Sequence, residues 1–276
     1  MSFEKPGATA LNLRPCRYGT SKLLFRGPPR QMNRPYVAFL GGTETFGRFV
    51  RAPFPDVVQS RLQVTCVNLG CTNAGLDSFV RDPDIQRIAS AARVRVLQIM
   101  GAQNLSNRFY RVHPRRNDRF VEAAPLLCET YPEVDFTEFH FTRHLLGKLR
   151  LLSPERFLSV EEELQRVWSK RMDALLRSMG EGTILLWLRY PDRDHALNDA
   201  HLGADPLMVT KKMVDALRDR VEDVVEVPIE TAGNCQDMDG MVFGPLERPS
   251  AGHLPGPGTH MAIADRVAES VLRALK

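Results

Sequence analysis

Cysteine is scarce in this chain and unpaired. The five thiols, Cys16, Cys66, Cys71, Cys128 and Cys235, are odd in number, widely spaced and free of any C-x-x-C pair, so neither a disulfide framework nor a thiolate zinc site organises the fold. Long apolar runs are missing as well. No stretch approaches the roughly 20 residues that cross a bilayer, and Met1 to Arg30 mixes prolines, glycines and basic residues without a signal-peptide core. No membrane partner is expected, and a cytoplasmic location is the default. Surplus charge is small too: a net +4 is less than a chain that holds nucleic acid by its field alone usually carries. Internal repeats and low-complexity tracts are absent.

What is present suits a buried core. With 276 residues, 43% hydrophobic and 25% charged, the chain is long enough for one large domain or a domain with an insertion. Nearly continuous apolar runs near Tyr36–Leu40, Val64–Leu69, Val94–Met100, Thr183–Arg189 and Val224–Val227 read as parallel strands covered on both faces. Helical segments fill the gaps. Asp82-Pro83 pairs a cap with proline at the first helical position, and Asp205-Pro206 repeats the device before Met213–Arg220. Ser159-Val160-Glu161-Glu162 has capping-box spacing and opens a helix to about Met179, with Leu164, Val167, Trp168, Met172, Leu175 and Leu176 as its core face.

Alternating strands and helices imply a three-layer α/β/α sandwich around a five-stranded parallel sheet, in which the site lies beyond the carboxyl ends of the strands. The third crossover, from Gly101 to Gly182, is far longer than the others. The organisation expected is therefore an N-terminal extension over residues 1–33, wrapping the core, then one domain over 34–276 with a helical insertion at about 105–180 that partly covers the strand ends.

Polar blocks stand at those ends. The first strand runs into Gly41-Gly42-Thr43-Glu44-Thr45-Phe46-Gly47, the second into Gly70-Cys71-Thr72-Asn73-Ala74-Gly75, and the third into Gly101-Ala102-Gln103-Asn104. Glycines at a strand end let the backbone turn sharply and a ligand come close, while the next helix offers free N–H groups. Near the C-terminus, His253 to His260 leads into a last helix, Met261–Leu275.

This order resembles the SGNH, or GDSL, hydrolase superfamily, whose first block commonly reads G-D-S-x-T-F-G where this chain has G-G-T-E-T-F-G. The whole sequence also resembles a proteobacterial domain family from which no activity carries over. The hydrolase resemblance implies a flavodoxin-like sheet, no cofactor, and acyl chemistry with Thr43 in place of the serine. It also implies oxyanion donors at Gly75 (or Gly70) and Asn104, and a base at His253. The sequence departs from the pattern at three places. Gly42 stands where the family has aspartate, threonine carries a methyl that crowds attack and restricts χ1, and Ser250 replaces the aspartate three residues before the histidine. Asp237, Asp239 or Glu247 would have to orient the base.

Other roles stand beside these. Thr43 is also a natural helix cap, Asn104 a residue that satisfies turn backbone, and His253 a solvated loop residue. His260, in the first turn of a helix, is the alternative base because that position favours a neutral imidazole. His140 and His144 share a helix face, but no third ligand stands at a telling distance. The segment Asn107 to Arg119 holds Arg108, Arg111, Arg115, Arg116 and Arg119 among aromatics. It is either a solvated face or a cradle for phosphate, sulfate or carboxylate. Three functions follow. One is an esterase or acyltransferase acting on a small molecule or glycan, and the second is a transferase for an anionic donor held by Gly41, Gly42, Thr45, Gly70 and the arginines. The third is a ligand- or carbohydrate-binding protein that kept the fold without the triad.

Overall fold

The computed structural model describes residues 11, 13–191 and 202–276. In chain order the elements are β1 (Tyr36–Gly41), α1 (Thr43–Phe46), α2 (Phe54–Leu62), β2 (Thr65–Gly70), α3 (Leu76–Val80), α4 (Pro83–Ala91) and β3 (Val94–Gln98). Then come β4 (Tyr110–Val112), β5 (Phe120–Ala123), α5 (Pro125–Thr130), α6 (Thr142–Leu152) and α7 (Pro154–Met179). The chain ends with β6 (Thr183–Arg189), α8 (Lys211–Asp215), β7 (Asp223–Pro228), α9 (Arg248–Gly252) and α10 (Pro257–Leu275).

Five strands form one parallel sheet in the order β2-β1-β3-β6-β7. The alternation of side chains explains why each strand is apolar throughout. Val37 and Phe39 face one side with Val94, Val96, Ile184 and Leu186, where Phe54 and Val58 of α2 and Ile263, Val267 and Val271 of α10 cover them. Ala38, Leu40, Leu69 and Leu97 face the other side, against Phe79 of α3, Ile85 of α4, and Leu164, Trp168 and Met172 of α7. The result is a three-layer α/β/α sandwich.

Some helix starts differ from the sequence reading. Asp82 does cap α4 through Ile85 N–H (3.1 Å). Helix α7, however, starts at Pro154 with Ser153 accepting from Arg156 N–H (3.2 Å), and Ser159 lies a turn inside, its hydroxyl on Arg156 O. The cap of α8 is Thr210, which accepts from Met213 N–H (3.3 Å), and not Asp205. The segment between β3 and β6 carries the antiparallel hairpin β4–β5 as well as helices. Trp168 joins it to the sheet by donating Nε1–H to Met100 O (2.8 Å). Of the N-terminal residues, Tyr18, Leu23 and Phe25 are buried in the α3/α4/α7 layer. Among the described residues no helix is long and apolar enough to cross a membrane.

Candidate active site at the β1/β3 switch point

The sheet order reverses between β1 and β3, and in sheets of this order the crevice opens there, beyond the strand ends. β1 stops at Gly41, where a Cβ would stand 2.1 Å from Thr45 Oγ1 and 2.4 Å from Gln98 Oε1; only glycine lets the turn close. Gln98 Oε1 then accepts from Gly42 N–H (3.0 Å) and from the Thr45 hydroxyl (2.6 Å). Its Nε2 donates to Glu44 Oε2 (2.9 Å), whose other oxygen accepts from the Tyr190 hydroxyl (3.2 Å). This chain of bonds fixes the one-turn helix α1. Thr43 is its first residue, and Thr43 Oγ1 accepts from Asn73 N–H (3.1 Å) instead of capping the helix. The hydroxyl proton is not committed by that bond.

Above the turn lies a cavity of about 300 Å³. Its floor is Gly42, Thr43 and Glu44 after β1, Asn73 and Ala74 after β2, Gln98 at the end of β3, and Ile99, Met100, Gly101, Gln103 and Asn104 beyond it; Phe141–Arg143 at the start of α6, Asp118, Leu188, Tyr190, Asp205 and Pro206 close the sides. A second cavity of about 310 Å³ shares Glu44, Arg143, Tyr190 and Asp205 with it and adds Thr231 and His253. In the shared wall Arg143 pairs with Asp205 (3.1 Å). Asn104 Oδ1 accepts from the Thr142 hydroxyl (2.7 Å), which leaves its Nδ2 as the donor end. Burial pushes the Asp118 carboxyl above the usual carboxylate range, against the opposing pull of Arg119, Arg116 and His113.

The profile of a family described as "Domain of unknown function (DUF6473)" matches residues 1–275. The chain belongs to the DUF6473 family. No curated protein matches it. Among solved structures, the DUF6473 chain is similar to a lipase from a goat rumen metagenome at 12% identity, over 86% of this chain and 97% of that one, with a TM-score of 0.41. It is also similar to a gut microbial diltiazem-metabolizing enzyme (10% identity, TM-score 0.41), over 88% of this chain and 48% of that one. A third is the salicylyl-acyltransferase of a tetracycline biosynthetic pathway (9% identity, TM-score 0.38), over 88% of this chain and 57% of that one.

The DUF6473 structure brings Gly42, Thr43 and Asn104 to one cavity and places His253 at the adjoining one. The other expected positions lie elsewhere. Gly41 is buried at the end of β1 and Thr45 on the inner face of α1, and Gly70 packs beneath that helix, where a Cβ would come 2.3 Å from Phe46 N. These three are packing positions. Gly75 lines neither cavity, and its N–H is donated to Asn117 Oδ1 (2.7 Å), so it offers no oxyanion donor. His260 is 1% exposed; its Nδ1 accepts from Phe54 N–H (3.2 Å) and its ring stacks on Phe54. Burial first, then Arg26, pushes its pKa down to about 4. It is a joint between α2 and α10, not a base.

The expected orienters of His253 are also otherwise engaged. Asp237 accepts from Gly258 N–H (3.1 Å) and Thr259 N–H (2.9 Å) at the start of α10, Glu247 pairs with Arg48 (2.9 Å), and Asp239 is exposed. The arginine segment turns outward. Arg108 pairs with Glu163 (3.1 Å), Arg111 with Glu122 (2.9 Å), Arg119 covers the Phe141 ring, and Arg115 and Arg116 are exposed; none lines either cavity. His144 packs its ring on Phe139. The cavity residues that the sequence reading passed over are Glu44, Gln98, Gln103, Asp118, Arg143, Tyr190 and Asp205. Tyr190 had a signal, since it directly follows an apolar strand. Arg143 and Asp118 had none.

Proposed function

We propose that the cleft carries SGNH-like acyl chemistry, hydrolysis of an ester or transfer of its acyl group. Thr43 supplies the attacking hydroxyl. The observation that carries this reading is the convergence of Thr43 and Asn104, from the ends of neighbouring strands, on one cavity. In the proposed step, Thr43 Oγ1 adds to the acyl carbonyl and its proton passes to His253, the histidine at the adjoining cavity. Asn104 Nδ2 donates to the oxyanion that forms, where a fixed donor is worth most. Collapse of the intermediate expels the alcohol with that proton, and water or a second alcohol then releases the acyl group.

Turnover of p-nitrophenyl acetate by the purified chain tests the proposal. Asn104→Ala is expected to lower kcat by roughly 10²–10³, as for loss of an oxyanion donor, and Thr43→Ala by at least as much because nothing remains to be acylated. A wild-type rate no greater than buffer overturns the acyl reading. One observation favours the binding-only alternative: among the described residues no hydrogen bond joins His253 to Thr43, and no carboxylate is bonded to His253. In that case the same two variants weaken ligand affinity instead of turnover.

A further inference from the structure

The charge in the cleft runs against that of the chain. The whole protein has a net charge of +4, yet the side chains around the two cavities include Glu44, Asp118 and Asp205, with Arg143 alone among arginines and lysines. Part of this is balanced. Asp205 is paired with Arg143 (3.1 Å), and Arg119 and Arg116 act on Asp118. Glu44 has no such partner. The donors on its oxygens are neutral, Gln98 Nε2 (2.9 Å) and the Tyr190 hydroxyl (3.2 Å), and among the described residues no cationic side chain is paired with it.

The fold treats its most buried carboxylates differently. Asp77 and Glu163 each take two arginines, Arg81 with Arg171 and Arg108 with Arg166, as the removal of a charge from water demands. Glu44 is half-buried and faces both cavities, its direction fixed by two hydrogen bonds and its charge left open. It directly follows Thr43, so this charge is held beside the proposed nucleophile. An anionic substrate is repelled from such a wall. A metal ion finds no ligand set there, since among the described residues no three His, Cys, Asp or Glu side chains gather as a metal-binding group. A protonated amine fits. Its N–H groups donate to the carboxylate lone pairs that Gln98 and Tyr190 leave free, and the methylenes that carry it have Leu188 and Phe141 of the same cleft to pack on.

We infer that Glu44 is a specificity-determining residue, by which the cleft selects an ester whose alkyl chain carries a protonated amino group. The inference rests on the acyl reading in taking the same cleft, and its test reads binding instead of turnover. Titrations followed by saturation-transfer NMR on the full chain compare three probes of one length near neutral pH, hexylammonium, hexanol and hexanoate. Hexylammonium is expected to bind about tenfold or more tighter than hexanol, and hexanoate more weakly than either. Glu44→Gln keeps the shape and can still bond to Gln98 and Tyr190, but the advantage of the amine over the alcohol should fall below about twofold. Circular dichroism confirms that the variant is folded. If it is not, Asp205→Asn decides: it leaves Arg143 unpaired in the shared wall and is expected to weaken hexylammonium and strengthen hexanoate, each by about threefold or more. Equal binding of amine and alcohol, tighter binding of hexanoate, or a preference indifferent to the folded variant overturns the inference. Amine selectivity without p-nitrophenyl acetate turnover overturns the acyl reading alone, whereas turnover with equal binding of amine and alcohol overturns this inference alone.

Discussion

His260 is neutral and buried in the fold but free to take a proton once the chain unfolds, and this difference has a sign. With its folded pKa near 4 and an unfolded value of about 6.5, the unfolded state binds the extra proton between these limits. Stability from this residue is complete above about pH 6.5 and is lost as pH falls toward 4, by up to about 1.4 kcal/mol per unit. Urea titrations at stepped pH should show that slope in the wild type and a shallower one in His260→Gln, which keeps an acceptor for Phe54 N–H; equal slopes would remove His260 as the cause. The same residue shows why the site was only half legible. A histidine in the first turn of the last helix has one local pattern whether it faces a cleft or a neighbouring helix, and only the stacking on Phe54 decides. Thr43 was more legible because its place after a strand-terminal glycine pair restricts where it can be. Its bond from Asn73 N–H, which separates a poised hydroxyl from a helix cap, links residues 30 positions apart and has no local trace.

The five strands of the parallel sheet were readable to within about two residues, because a strand covered on both faces is apolar throughout, whereas the hairpin β4–β5, apolar on one face only, was not read. Helix starts were less so. Ser159 and Glu162 have the spacing of a capping box, but residues three apart share a face anywhere along a helix, while the working cap is the less conspicuous Ser153-Pro154. The arginine-rich stretch illustrates a further limit: its charge was visible and its direction was not. Half of its meaning lies in Glu163 on α7, 1% exposed, which takes both Arg108 (3.1 Å) and Arg166 (2.8 Å). Asp77 on α3 plays a parallel part, with Arg81 (3.1 Å), Arg171 (2.9 Å) and Ser106 N–H (3.2 Å) around a carboxylate 1% exposed. Chemical denaturation should therefore rank the elements' ties. Asp77→Asn weakens bonds to a buried charge on three segments and is expected to cost about 2–3 kcal/mol. Arg108→Ala leaves Glu163 its second arginine and removes a largely exposed partner, at under about 1 kcal/mol. The reverse order would show that the outer arginines anchor the insertion.

Over the whole molecule the turns at the ends of β1 and β3 supply Thr43, Gln98 and Asn104, and the residues from β4 to α6 supply Asp118, Phe141 and Arg143. Sequence reading could find the first group from the rule that sites lie past strand ends; the second arrives by docking and carries no pattern of its own. The two groups meet at one bond, from the Thr142 hydroxyl to Asn104 Oδ1 (2.7 Å). Thr142→Val keeps the shape of a residue 1% exposed and is expected to cost about 1 kcal/mol of stability. With Asn104 free to turn its amide, kcat on p-nitrophenyl acetate should fall about tenfold with KM little changed. An unaltered kcat would assign that bond to packing alone. The bond also bears on modularity. Because one side chain of α6 sets the direction of a residue in the turn after β3, the part of the connection that carries α6 is not a removable lid but half of a two-part mould. Exchanging it between relatives would carry the orientation of Asn104 along with the cleft walls Phe141 and Arg143, so the two should be inherited together and not tuned one at a time.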